Sequence, residues 1–481
     1  MSLGIGIRLL ETLTSALYED PIVFFREYVQ NSADAFIRNP VNDGIIEITI
    51  DRESRTIEFF DNGYGIVPDC FRDKMRNIGV SDKGIAIDQI GFRGIGRLSA
   101  MPFCNKLVFT NKTEGSSIVQ KFSWNGEKYN KLLSQSDSDD LEKAIDEITE
   151  CYTEPYSGNS ADHYFKVQLI EYREEITALI EMEDFKSNLC KLLPLKYNDS
   201  FPAKDQIHKH YLEYMGDGLE KYEFDVLLNG EALYKPYTED NILESDIVFW
   251  DLCFEKTSDD IPNEKIGVLW FTFNRKVSSN PPKSPRGLLV RSKNMLLGTE
   301  YAIADSVTKG NNEYVATYRE LAQTLNGVYG ELLIDTARLS DNARRDWFRI
   351  DASSIQLRSI LADYLKKLKA YRYAASQAFN DKQTEAKKKK VIFAYEELTK
   401  GFDIQKFEKD FYNTTNEPKD ENLFFYADDD IPRRSVTAKK LYEEILTGLK
   451  EYFTEIDNEQ GIELFIKART FLKQYLEKKD S

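Results

Sequence analysis

Residues 21–39, PIVFFREYVQNSADAFIRN, constrain the fold of this chain more than any other stretch. Pro21 suits the first turn of a helix, where its missing N–H has no intrahelical partner to lose. Apolar letters then recur at helical spacing to about Arg38, where the NP dipeptide ends the run. On that helix Glu27, Asn31 and Asp34 stand at i, i+4 and i+7, and so project from one face. Phe, Tyr, Val and Ala flank the stripe on both sides, too apolar a setting for a freely exposed helix. Taken alone, the stripe is either a solvated charged face or the lining of a site.

The flanking segments alternate in period. An amphipathic helix over residues 7–18 precedes the stripe, and IIEITID (45–51) and TIEFF (56–60), joined by RESR, predict a β-hairpin. A glycine-punctuated loop, DNGYGIVPD, leads to a short helix, CFRDKMRNIG, and then to a glycine-rich segment at 79–97. KLVFTNK, SIVQKFSW and HYFKVQLIEY read as strands; the polar, acidic stretch 134–162 before the last of them predicts a surface excursion. Helix at 172–192 and then LPLKYN predict a boundary near residue 200. Residues 222–350 mix strands (EFDVLLNG, IGVLWFTF, GLLVRSK, GELLIDT) with helix, as in a second α/β domain. From Ser354, apolar residues at 357, 360, 361, 364, 365 and 368 keep helical spacing, and the remainder is helical and charged. The expected division is 1–200, 201–352 and 353–481.

Charge and composition narrow the partners. The net charge of −17 disfavours non-specific binding to nucleic acid or anionic membrane. The KKKK run at 387–390 is read as a solvated helix face, with nucleic-acid contact as its alternative. Five scattered cysteines without a CxxC pair suggest reduced thiols, and HKH at 208–210 lacks the spacing of a metal site. No apolar run reaches the ~20 residues that cross a bilayer, and the N-terminus does not read as a signal peptide. A cytoplasmic location without membrane contact is expected.

Two more motifs bear on the stripe. DNGYG puts Asp61, Gly63 and Gly65 directly after a strand, where a carboxylate can accept from an amino group and glycine allows close backbone approach. GFRGIGRLSA (91–100) spaces Gly91, Gly94 and Gly96 around Phe92, Arg93 and Ile95, so that successive N–H groups could face an anion, with RLSAM continuing as a helix. It lacks the GK[ST] of a P-loop and does not open a βαβ unit. Each motif alone is a common turn.

In this order, an ExxxN helix, a DxGxG after a strand and a GxxGxG resemble the GHKL superfamily of ATP-binding domains (gyrase B, Hsp90, histidine kinases, MutL). LLETLTSALYEDPIVFFREYVQNSADAFIRN is most similar to the opening helices of Hsp90. The resemblance implies an α+β fold, an ATP-binding (Bergerat) α/β sandwich followed by an α/β transducer or middle domain and a helical C-terminal region. It implies ATP and Mg²⁺ as ligands and ATP hydrolysis as the reaction. Asn31 would hold Mg²⁺, Glu27 would be the general base, Asp61 would accept from the adenine amino group and Gly65 would leave room for the base. Gly63 belongs to the same loop, Asp34 would support the pocket, and Gly91, Phe92, Arg93, Gly94, Ile95 and Gly96 would wrap the phosphates within a lid over 79–97. One departure is plain: YFKV places Phe165 where Hsp90 proteins carry a pocket threonine in GTKV.

LWFTFNRKVSSNPPKSPRGLLVRSKNMLLG (269–298) is similar to the start of the Hsp90 middle domain, and GELLIDTARLSDNARRDWF (330–348) to its arginine-bearing segment. Aligning on Asn342 puts Arg345 at the position that reaches the γ-phosphate, with Arg344 as the alternative, or with both as a surface pair beside Asp341 or Asp346. Few residues precede the ATP-motif helix, which speaks against a histidine kinase, and 353–481 is short for an Hsp90 dimerisation domain. The expected function is a nucleotide-driven clamp that remodels a protein client or dedicated partner, with an ATP-dependent homodimer as one arrangement. The alternative is a DNA-linked ATPase of the MORC or MutL type, in repair or phage defence.

Overall fold

The computed structural model describes residues 20–78, 96–134, 141–238, 247–254, 263–273, 286–308, 321, 324–325, 328–342 and 344–380. All of these fall in one of the chain's two compact units, residues 1–277 with 282–424. The expected helix at 7–18, the Lys387–Lys390 run and most of the glycine-rich segment, Gly91 to Ile95 included, lie outside the described residues.

Helix α1 (Ile22–Arg38) starts where Asp20 Oδ1 accepts the Ile22 N–H at 3.0 Å. Its apolar face, Phe24, Phe25, Tyr28, Val29, Ala33 and Phe36, is buried with Ile46 and Ile48 of β1 (Ile45–Asp51) and Ile57 and Phe59 of β2 (Thr56–Asp61). Those side chains alternate along the strands, as a sheet with one face against a helix requires. Phe59 anchors the contact, its ring 5.0 Å from Tyr28 and 5.4 Å from Phe25. Each such side chain contributes roughly 1.5–3 kcal/mol on burial, so α1 is fixed by its apolar face and its polar stripe is left to other work.

The predicted hairpin forms, β1 pairing antiparallel with β2. β3 (Cys104–Lys112), β4 (Ile118–Asn125) and β6 (Tyr164–Tyr172) are the three expected strands. The acidic stretch 134–162 is not simply a surface excursion. It carries α2 (Leu141–Ile148), which buries Ala144, Ile145 and Ile148, and β5 (Thr149–Pro155), which pairs with β4 as an edge strand. Apolar residues at i, i+1 and i+4 on one helix face outweigh the stretch's polar composition. EFDVLLNG also departs from expectation: β7 (Asp225–Leu228) pairs in parallel with β1 and continues into β8 (Glu231–Ala232). The first sheet therefore runs β5-β4-β3-β6-β2-β1-β7-β8 and draws its last two strands from beyond residue 200.

A second, five-stranded sheet has the order β12-β11-β13-β10-β9. Its strands are β9 (Val248–Phe254), β10 (Glu264–Phe273), β11 (Gly287–Ser292), β12 (Met295–Leu297) and β13 (Val328–Ile334). Every residue of β13 is buried, Glu331 included. Glu331 accepts from Lys235 Nζ at 3.0 Å, from the Tyr197 hydroxyl at 2.5 Å and from Arg291 Nε. Arg291 also donates to the Asn294 carbonyl at 3.0 Å, and Asn294 Nδ2 donates to the Leu195 carbonyl at 3.2 Å. Burial by itself would raise the Glu331 carboxyl, but Arg291 and Lys235 hold it at about 2. The segment leaving the first sheet is thus tied to the second by a buried ionic cluster. Helix α3 (Ala352–Asn380) begins at a reciprocal cap, Ser354 N–H to Asp351 Oδ1 at 2.8 Å and Asp351 N–H to Ser354 Oγ at 3.0 Å. Leu357, Leu361, Tyr364, Leu365 and Leu368 form its buried stripe, as their spacing predicts.

Candidate functional site

The stripe of α1 divides by environment. Glu27 and Asp34 are buried, at 8% and 1% exposure, whereas Asn31 between them is exposed. The Glu27 carboxylate lies between two guanidiniums, Arg26 Nη2 at 3.6 Å and Arg345 Nε at 3.8 Å from the same oxygen. Arg345 arrives from beyond the second sheet and is buried, while Arg344 is exposed. Its Nη1 donates to Gln30 Oε1, one turn along the stripe from Glu27. The backbone at Arg345 is left-handed, φ +55°, a conformation that costs a non-glycine residue about 1–2 kcal/mol. Surroundings hold it there: the Gly298 N–H donates to the Arg345 carbonyl at 3.0 Å. Strain of this kind concentrates where a side chain must be aimed.

Asp61 ends β2 beneath the same face of α1. Ser32 Oγ donates to its Oδ2 at 2.7 Å and the Gly63 N–H to its Oδ1 at 3.0 Å. Burial pushes the Asp61 carboxyl up to about 6, against the pull of those two donors. Across the β2–β6 ladder Asp61 stands opposite Phe165, so the residue that departs from the threonine pattern borders this carboxylate.

The loop after Asp61 is fastened on both flanks. Asn62 Oδ1 accepts the Ile45 N–H at 2.7 Å, and Asn111 on β3 clamps Ile66 by accepting its N–H and donating to its carbonyl, both at 2.7 Å. Gly65 between them has φ +71°, and a Cβ there would overlap Asn111 Oδ1 and stand 3.2 Å from the Lys112 carbonyl. Glycine is required at that position by conformation and by space together.

Of the third motif, Gly96 is described. It opens a three-residue 3₁₀ turn, Gly96–Leu98, with a second one at Met101–Phe103; RLSAM does not continue as an α-helix because Pro102 leaves no amide to extend it. A Cβ on Gly96 would overlap the Glu27 carboxylate. Tyr28 donates its hydroxyl hydrogen to the Arg97 carbonyl at 3.0 Å, and the Arg97 guanidinium donates to the Asn77 carbonyl. The described residues on either side of 79–95 are thereby bound to each other and to α1.

These contacts bring Glu27, Gly96 and Arg345 together at one point of α1 and Asp61 and Gly63 at another, with Gly65 packed against Asn111 of β3. Three participants escape the sequence motifs. Gln30 is visible only as an i+3 neighbour of Glu27, and Ser32 only as a hydroxyl within an apolar run. Asn111 carries no sequence signal at all, since its role depends on strand pairing. His208 and His210 are engaged by Glu223 and Asp251, at 3.0 and 2.8 Å. Among the described residues no group of three His, Cys, Asp or Glu side chains could hold a metal, and no helix is long and apolar enough to cross a membrane. Asn31 is exposed on α1, and its amide oxygen is a hard donor of the kind a Mg²⁺ ion takes beside water and phosphate oxygens.

Residues 23–153 match the family described as histidine kinase-, DNA gyrase B- and HSP90-like ATPase. The chain is 26% identical over 209 residues to the chaperone protein HtpG of Natranaerobius thermophilus, covering 37% of this chain and 32% of that protein. It is 20% identical over 387 residues to HtpG of Clostridium botulinum, covering 67% of this chain and 61% of the relative. The alignments thus span less than two thirds of these relatives' length. The ATPase region of Saccharomyces cerevisiae topoisomerase II superposes with a TM-score of 0.40 at 14% identity, over 72% of this chain and 85% of that one.

Proposed function

We propose, from the premise that residues 23–153 are an ATPase domain of the GHKL superfamily with Hsp90-like similarity, that this chain binds and hydrolyses ATP along the polar stripe of α1. Asp61 accepts from the adenine amino group, and the fastened loop through Gly63 and Gly65 lies against the base. Asn31 holds Mg²⁺, which supplies charge to offset the phosphates. Asp34 supports the pocket from the buried end of the stripe, and residues 91–96 wrap the phosphates. Glu27 takes the proton of the attacking water. Arg345 stabilises the charge that spreads over the transferring phosphoryl oxygens.

The observation that supports this most directly is the convergence of Arg345 with Glu27 and Gln30 on one helix face, from opposite ends of the described chain. Arg345 is buried and left-handed at this point, unlike the exposed Arg344 beside it. Because Arg345 belongs to the part of the chain built on the second sheet, its engagement links turnover to the arrangement of the two sheets. The chain then works as a nucleotide-driven clamp on a protein client or dedicated partner, which the −17 charge favours over DNA.

Steady-state hydrolysis and nucleotide binding measured in parallel test this. Glu27→Gln is expected to lower kcat by about 10²–10⁴-fold while leaving ATP binding intact. Unchanged hydrolysis would remove Glu27 from the reaction. Stimulation of turnover by DNA at low salt would favour the DNA-linked alternative.

A further inference from the structure

Gln30 has no part in the motifs that identify the site, yet it is 2% exposed and touches Arg345, which reaches α1 from beyond the second sheet. Glu27 and Gln30 lie three residues apart and face the same way, so a single guanidinium spans both side chains. The electrostatics of that arrangement are asymmetric. Glu27 already has Arg26 at 3.6 Å, and its second cation, Arg345, stands off at 3.8 Å, beyond hydrogen-bond distance. The closer bond of Arg345 goes to a neutral amide oxygen.

A guanidinium is a rigid planar fork, so a bond to one of its nitrogens restricts the orientation of the whole group. From the backbone side Arg345 is equally constrained: its N–H reaches the Asn342 carbonyl at 3.3 Å and its own carbonyl accepts from Gly298. The side chain is thus held at both ends, by the loop at its root and by Gln30 at its tip. Release of the tip would let Arg345 close on the Glu27 carboxylate as a charge-assisted, fork-to-fork pair. Such a pair would occupy the oxygen that must receive a proton.

We propose that Gln30 is the positioning residue for Arg345, its amide oxygen orienting the guanidinium beside Glu27 and preventing the two from closing into a bidentate ion pair. This rests on the reading of Arg345 as the group that stabilises the transferring phosphoryl. Gln30 touches the arginine and acts through it, so its effect belongs to turnover and not to nucleotide affinity.

The test is a double-mutant cycle on ATP turnover with the full chain, using Gln30→Met, which keeps length and removes the acceptor, with Arg345→Ala and the double variant. Arg345→Ala is expected to lower kcat by about 10³-fold. Gln30→Met is expected to lower it by about tenfold with KM for ATP within about twofold of the parent, and to have no further effect once Arg345 is absent. Wild-type turnover in folded Gln30→Met, or losses that multiply in the double variant, would overturn the proposal while leaving Arg345 in place. Full turnover in Arg345→Ala would instead remove the arginine's role, and with it the need for a positioner. Thermal midpoints are recorded for each protein, and Gln30→Ala substitutes in the cycle if the methionine variant does not fold.

Discussion

Ser32 and Asp61 share a hydrogen bond of 2.7 Å between a helix and the end of a strand, and both residues are buried. The pair joins α1 to β2 through polar atoms beside the apolar contact between them. Polar groups held out of water in this way set how the protein responds to pH and to substitution.

Asp61 should make stability fall as pH rises. Its carboxyl is pushed from the ordinary 3.8 up to about 6 by burial, so the folded protein binds a proton there that the unfolded chain has released. The contribution is fully present below about pH 4 and lost as pH rises through about 6, where the ionised group costs on the order of 3 kcal/mol. Asp61→Asn is therefore expected to be the more stable protein at pH 7.5, with its advantage gone near pH 4, and to bind ATP poorly. Urea unfolding across that range would contradict this if both proteins followed one pH curve.

Gly96→Ala should separate rate from stability. The nearest atoms to the added methyl group all belong to the end of the Glu27 side chain, and a carboxylate can swing aside. Stability is expected to change by less than about 1 kcal/mol, whereas displacement of the base lowers kcat by about 100-fold. Calorimetry and turnover on one preparation decide it.

Gly65→Ala should fail in the opposite manner. Here the obstacles are a left-handed backbone, the Lys112 carbonyl and an Asn111 amide already committed to Ile66. A loss of about 1–2 kcal/mol in unfolding free energy is expected, with weaker ATP binding because the loop itself must shift. Wild-type affinity by titration calorimetry would count against the placement of the base on this loop.

Glu331→Ala should destabilise the region between the sheets by about 3–5 kcal/mol, since Arg291 and Lys235 would remain buried without their carboxylate. The depressed Glu331 carboxyl also means that this cluster's stability is present above about pH 4.5 and lost as the pH falls toward 2. The gap between the denaturant midpoints of Glu331→Ala and the parent should be widest at neutral pH, narrower at pH 3 and close only toward pH 2.

The helix, the hairpin and the order of motifs were legible in the sequence because each depends on local spacing. Glu27, Asp34 and Asp61 could be placed in this way, and so could the stripe of α3. What escaped depends on contacts far apart in the chain. Asn111 matters because β3 lies two strands from Asp61, and EFDVLLNG joins the first sheet through a parallel pairing no local pattern announces. Acidic composition hid α2 and β5, whose few apolar residues suffice at an edge. Of the two arginines at 344 and 345, Arg345 is the buried one, at the left-handed turn that aims it, while Arg344 is exposed.

The place of β7 beside β1 has a bearing on synthesis. β1 emerges early, but the edge it offers stays unpaired until residues 225–228 have been made, with Asn229 closing the ladder by accepting the Ile50 N–H at 2.7 Å. Until then the nascent chain carries an open strand edge beside β2, the kind of edge that recruits other chains. A truncation at residue 200 would make that transient condition permanent, and would be expected to aggregate even though it retains the whole polar stripe.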